Sequence, residues 1–161
     1  IKNKKGQVGK MSVEDIAIAI TKIKGNPKKG PSLFASQGCI ACHALKKSEV
    51  QKGPYLGQIG GIMNAEKIAL SIIRPNAEIS QGFKTVSITT KKGGAHVGFV
   101  TKRLSDQIEI RDIAGQITRL NPADVASETL LPISMMPAGL ANGMSIEDFA
   151  SLVHFLAAQK Q

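Results

Sequence analysis

Three residues of one short segment, Cys39, Cys42 and His43, have the types and the spacing to hold a cofactor. Two thiols three positions apart can each form a thioether with a vinyl group of haem, and the imidazole that follows can coordinate the iron. The chain has only two cysteines, and both lie in this C-x-x-C-H segment. The segment therefore predicts one covalently attached haem c, bound by Cys39 and Cys42, with His43 as an axial ligand of the iron.

Three other interpretations of the segment stay open: a thioredoxin-like redox pair, half of a zinc site, or a chance match. Thioredoxin-type motifs follow a strand, and no strand is predicted before Cys39. Zinc would need two more ligands at suitable spacing, and the other histidines, His96 and His154, are isolated in the sequence. These comparisons favour haem.

The positive charge of the chain is unevenly placed. The formal net charge is +9, and residues 1–52 hold eleven lysines against three acidic residues. We interpret this half as a basic surface that steers an acidic redox partner, although a solvated surface that only keeps the protein soluble would have the same composition.

Nucleic acid is disfavoured as a partner because the chain has no tryptophan and one tyrosine, Tyr55. No apolar run approaches the roughly 18–20 residues of a membrane span.

Helical periodicity and capping signals occur on both sides of the cysteine segment. Ser12 is a predicted N-cap for a helix that ends near Gly25, and a short helix is predicted over 31–35. Asn64 precedes a predicted helix over 65–73, and Ser145 precedes the terminal helix, whose apolar positions recur at helical spacing.

Residues 83–120 have a different pattern, in which β-branched residues alternate with polar ones. We predict three or four short antiparallel strands there, followed by a helical turn over 121–128. The expected fold class is therefore mainly α, with a small inserted antiparallel sheet at about residues 83–120. Residues 1–11 are expected to be a mobile basic segment, and residues 12–161 a single domain that contains the sheet as a subdomain.

The order of these motifs resembles the class I cytochromes c: a helix, C-x-x-C-H, Gly-Pro-x-Leu, a helix, Met-Pro and a terminal helix. A closer resemblance is to the Planctomycetes-type haem-binding domain, a C-terminal module of large exported dehydrogenase-like proteins. It covers roughly residues 30–158. The motifs that carry it are Leu33-Phe34, Cys39–His43, Gly53-Pro54-Tyr55-Leu56, residues 71–76, Gly82-Phe83 and residues 134–140. Small cytochromes c usually lack a sheet before the methionine loop, so residues 83–120 depart from that pattern.

The second axial ligand of the iron decides what such a haem can do. The candidates are Met11, Met63, Met135, Met136, Met144, His96 and His154, or no residue. Met135 and Met136 stand in a loop before the terminal helix, as a ligand from the far face of the haem should. The resemblance implies that the methionine before proline, Met136, is the ligand, and that the carbonyl of Pro54 accepts the N–H of the proximal histidine.

The resemblance implies a cytochrome c-like helical haem core and one-electron transfer in the periplasm or another exported compartment, because the haem attachment machinery works there. The chain begins with Ile1 rather than methionine, which we interpret as processing or excision. We expect an electron carrier rather than an enzyme, with electrons supplied by a fused or partner dehydrogenase. The alternatives are a haem enzyme or gas-binding sensor with a labile sixth site, and a haem-bearing interaction module.

Overall fold

The main helices begin where the capping residues of the sequence place them. The computed structural model describes residues 6–161. The side chains of Ser12, Asn64 and Ser145 each accept a hydrogen bond from the amide three residues later, at 3.0, 2.9 and 3.1 Å, which confirms the three predicted N-caps. The helices are α1 (Val13–Lys22), α2 (Gly30–Ser36), α3 (Ile59–Ile62), α4 (Ala65–Ile73) and α5 (Ile146–Ala157).

The chain divides into two compact units. Unit 1 contains the described residues up to Ala77 together with Pro137–Gln161, and unit 2 is Glu78–Met136. The core of unit 1 is built around α5, whose Phe149, Ala150 and Val153 have no exposed surface. The apolar faces of α1, α2 and α4 supply much of the rest of this core, together with Val8, Ala141 and Met144. No helix in the described part of the chain is long and apolar enough to span a membrane.

The basic segment before α1 contains a structured part. Its residues 1–5 lie outside the described residues, so the predicted mobility of residues 1–11 is not addressed there. Within the described part, Val8 to Lys10 form a 3₁₀ turn, and the side chain of Val8 is buried in the core of unit 1.

Unit 2 is an antiparallel sheet of five strands: β1 (Val86–Thr90), β2 (Ala95–Arg103), β3 (Ile108–Arg111), β4 (Ile117–Leu120) and β5 (Val125–Leu130). Their order in the sheet is β4-β3-β2-β1-β5. The edge strands β4 and β5 are separated in sequence only by residues 121–124, which include a 3₁₀ turn. A flat sheet would place them about 19 Å apart, at about 4.8 Å per strand spacing. A 3₁₀ turn advances only about 2 Å per residue, so the sheet cannot be flat and must bend to bring these two strands closer together.

The fold class predicted from the sequence is wrong. The structure is 35% helical and 19% strand, which makes it an α+β protein rather than a mainly α one. The sheet extends beyond the predicted limits of 83–120, because β5 occupies residues for which a helical turn was expected. Asn121 does cap a helical turn, accepting a hydrogen bond from the amide of Ala123 at 2.9 Å. That turn ends at Asp124, and the following residues pair with β1 instead.

The sheet of unit 2 has its own small core, which consists of Val86, Ile88, Ile108 and Ile110. Ile88 has no exposed surface, whereas Val97 on the neighbouring strand is 51% exposed.

Ile88→Ala should lower the free energy of opening of β1 by about 2–5 kcal/mol, through lost contacts and a cavity. Val97→Ala is the control and should change it by less than about 0.5 kcal/mol. Native-state amide hydrogen exchange of unit 2 measures both, and equal effects would contradict the assigned core.

Candidate functional site

Cys39, Cys42 and His43 lie on one tight turn that directly follows α2. Gly38 ends the helix with a φ of 78°, a left-handed conformation that favours glycine. A 3₁₀ turn over Cys39–Ala41 follows, and the amide of His43 donates to the carbonyl of Cys39 at 2.9 Å. These backbone bonds fix the conformation of the turn that carries the two thiols and the imidazole.

The imidazole of His43 is held by a backbone carbonyl. Its Nδ1 lies 2.8 Å from the carbonyl oxygen of Pro54. A carbonyl can only accept, so Nδ1 carries the proton, and in the neutral ring Nε2 is left as an unprotonated nitrogen. Burial lowers the pKa of His43, opposed in part by the hydrogen bond to Pro54. Burial thus favours a neutral imidazole, and the hydrogen bond to Pro54 leaves Nε2 as the nitrogen available to a metal.

The loop that supplies the Pro54 carbonyl packs directly on the motif. Gly53 approaches so closely that a Cβ there would lie 3.1 Å from the carbonyl oxygen of Cys42. Two residues after Pro54, the amide of Leu56 donates to the carbonyl of Ala44 at 2.9 Å, and Ala44 is buried. The Pro54 carbonyl is therefore fixed on both sides along the chain.

The two cysteines are free thiols and are half-buried. Burial raises the pKa of Cys39, whereas the reactive cysteine of a thioredoxin-like pair has a lowered pKa. The element before Cys39 is α2 rather than a strand. Among residues 6–161, moreover, no three or more His, Cys, Asp or Glu side chains are grouped as a metal site would need. The structure supports neither the thioredoxin-like nor the zinc interpretation.

The donor set fits a c-type haem. Two unpaired thiols lie on one turn, next to an imidazole whose Nδ1 is already engaged and whose ring orientation is thereby fixed. In haem proteins, the N–H of the ligating histidine is commonly held by a carbonyl or carboxylate in this way. Cys39 and Cys42 would attach the haem, His43 would ligate the iron, and Pro54 would orient His43.

The residues that the sequence offers as a second iron ligand lie in different parts of the structure. Met135 and Met136 are half-buried at the end of unit 2, and the amide of Met136 donates to the hydroxyl of Ser134 at 3.1 Å. His154 is engaged elsewhere, since its Nε2 lies 3.0 and 3.1 Å from the carbonyls of Ile20 and Ile23. The remaining candidates are Met144, buried in the core of unit 1, Met11 and Met63, packed against that core, and His96, on β2.

The structure thus brings together four of the five predicted site residues, Cys39, Cys42, His43 and Pro54. Met136 belongs to unit 2, and its assignment as the distal ligand stays a prediction. Two of the segments that resemble the haem-binding domain, residues 71–76 and residues 134–140, contribute residues to one surface depression of unit 1. A depression of about 390 Å³ is lined by residues 73–77 and by Ala138, which follows the Met-Pro pair.

Glu49 is a part of the site that the sequence analysis missed. Its carboxylate accepts hydrogen bonds from the amides of Leu45 and Lys46, at 2.9 and 3.1 Å, and so closes the loop that leaves His43. The signal was weak, because an acidic residue four positions after a loop residue is common in any sequence. Hydrogen bonds from the amides of Lys46 and Leu45 lower the pKa of Glu49.

Comparison with known proteins adds no identification. The chain matches no protein-family model and no curated protein. The assignment of the site therefore depends on its residues and their geometry.

The lowered pKa of Glu49 predicts a pH-dependent loop. A carboxyl whose pKa is lower in the folded protein contributes stability above its unfolded pKa, near 4.3, and loses that contribution as the pH falls through the folded value. The amide resonances of Leu45 and Lys46 should therefore shift together below pH 4.3 in an NMR titration. Glu49→Gln should abolish that shift. A titration midpoint at or above the ordinary value would contradict the two hydrogen bonds.

Proposed function

We propose that this protein is a one-electron carrier with a covalently attached haem c. The observation that carries the proposal is the hydrogen bond from His43 Nδ1 to the Pro54 carbonyl, on the turn that also presents both thiols. A bound haem would supply the redox chemistry by cycling between ferric and ferrous iron. The protein would supply attachment, ligation and burial.

Each residue of the turn would have a separate role. Cys39 and Cys42 would form the thioethers, which keep the haem attached whatever the oxidation state of the iron. His43 would coordinate through Nε2, and the Pro54 carbonyl would hold the ring and raise the basicity of the coordinating nitrogen. The backbone bonds of the turn and the loop mean that little reorganisation is needed when the group binds.

We place the distal ligand at Met136. Pro137 restricts the backbone of the residue before it to extended geometry, and the Ser134 hydroxyl accepts a hydrogen bond from the Met136 amide. The backbone restriction and the hydrogen bond together limit the directions in which the Met136 side chain can leave the loop. A methionine there would fill the sixth position and raise the reduction potential, as suits an electron carrier better than an oxygen-activating enzyme.

The expected partner is an acidic redox protein or a fused dehydrogenase, in the periplasm or another exported compartment. The basic residues Lys46 and Lys47 are exposed and follow the haem-binding turn directly. Their position supports steering of an acidic partner toward this part of unit 1. The identity of the electron donor and the compartment rest on the resemblance to exported haem-binding domains.

The first experiment tests covalent attachment and one-electron behaviour. Protein produced with a haem-attachment system should retain its haem through acid–acetone extraction and gain the mass of one haem. A potentiometric titration should fit a single one-electron step. The paired variant Cys39→Ser/Cys42→Ser should release its haem into the organic phase, whereas Ser36→Ala, on the preceding helix, should not. Complete extraction of haem from the unmodified protein would refute the proposal.

The second experiment separates the adjacent methionines. Met136→Ala should abolish the far-red methionine-to-iron band of the oxidised protein, lower the reduction potential and open the iron to cyanide. Met135→Ala is the matched control and should leave the band intact. The reverse pattern would identify Met135 as the ligand. A band unaffected by either change would show that neither methionine coordinates the iron.

A further inference from the structure

The segment before α1 is bound along its length to the loop that leads into α5. We call residues 6–10 the N-terminal strap. The amide of Val8 donates to the carbonyl of Met144 at 3.0 Å, and the amide of Gly9 donates to that of Asn142 at 3.1 Å. The amide of Ile146 donates back to the carbonyl of Gly6 at 2.9 Å. The strap and this loop therefore pair in antiparallel orientation, with an isolated β-bridge between Gln7 and Ser145.

One apolar side chain anchors the strap. Val8 is 2% exposed, although its neighbours Gly6, Gly9 and Lys10 are exposed. It belongs to the same buried cluster as Ala141 and Met144, which are residues of the loop to which its backbone is bound. The strap is therefore held to the loop by apolar side-chain packing as well as by backbone hydrogen bonds.

Gly9 is required by close approach rather than by its backbone conformation. A Cβ at this position would lie 2.8 Å from the Cβ of Asn142 and 3.0 Å from its carbonyl oxygen. Neither atom belongs to the flexible end of a side chain, so a larger residue must displace the strap from the loop.

The bound loop begins at Pro137, immediately after the proposed distal ligand. It contains two further backbone bonds, from Asn142 to the carbonyl of Gly139 and from Met144 to that of Ala141, each 3.0 Å. With the strap attached, most of the segment between Pro137 and α5 has a fixed backbone. Few residues then remain between Met136 and the first fixed position.

We propose that the N-terminal strap positions the distal methionine, with Val8 and Gly9 as positioning residues. This inference rests on the proposed function. A thioether is a weak ligand that must stay close to the iron without a covalent tether, so disorder in its loop lowers the occupancy of the bond. Supporting contacts of this kind commonly set the precision of a ligand site.

The test compares Gly9→Ala with Gly143→Ala in the haem-bearing protein. Gly143 lies in the same loop, but a Cβ there would meet no atom within 4 Å. Gly9→Ala should increase the rate of cyanide binding to the oxidised iron about thirtyfold, the factor expected when two backbone hydrogen bonds are lost. It should also weaken the far-red methionine band. Gly143→Ala should change neither. Val8→Ala, which keeps the backbone bonds, should give a smaller effect in the same direction.

Amide hydrogen exchange provides a readout that does not depend on the iron. Exchange at Val8 and Ile146 should accelerate in Gly9→Ala. If it accelerates while the cyanide rate and the band stay unchanged, the strap only stabilises unit 1 and the inference is overturned. Equal effects of Gly9→Ala and Gly143→Ala would also overturn it. If instead Met136→Ala leaves the band and the cyanide rate unchanged, the proposed distal ligand itself fails, and the positioning role falls with it.

Discussion

The candidate site depends on one hydrogen bond, between Nδ1 of His43 and the carbonyl of Pro54. It determines which ring nitrogen carries the proton and which one can bind a metal. The bond is possible because Gly53 packs against Cys42 with no side chain between them, and because Leu56 is bound to Ala44. Without it, the same five-residue motif would present two thiols and an imidazole with an unspecified orientation.

The sequence predicted the helix starts correctly, because hydrogen bonds between residues close in sequence form them. Ser12, Asn64 and Ser145 each cap a helix through an amide three residues away, so neighbouring residues alone are sufficient to predict these helix starts. The cysteine turn is local as well, since it closes through the bond between His43 and Cys39, although the spacing of the motif predicted its residues and not the turn itself.

The sequence could not reveal features that depend on distant pairing. Strand β5 has almost no buried residues and therefore no period-two pattern, and it is a strand because Leu130 pairs with Val86 on β1. The preceding capping signal at Asn121 is genuine but supports only a 3₁₀ turn. The sheet has five strands instead of the three or four that were predicted, and the fold class is α+β rather than mainly α.

The proposed haem site also combines contacts that are local in sequence with contacts between distant segments. The proximal side is built from residues 38–56, so its contacts close short loops at a small cost in chain entropy. The loop that follows the proposed distal ligand is instead held by a strap from near the other end of the chain, and ordering such distant segments costs more. The burial of Val8 in an otherwise exposed and basic segment is one contribution that offsets this cost. The close approach of Gly9 to Asn142 is another, because it lets both backbone bonds form at ordinary length. The strap is thus specified by an isolated valine and glycine, a pattern too sparse to be recognised before the structure brings the two ends together.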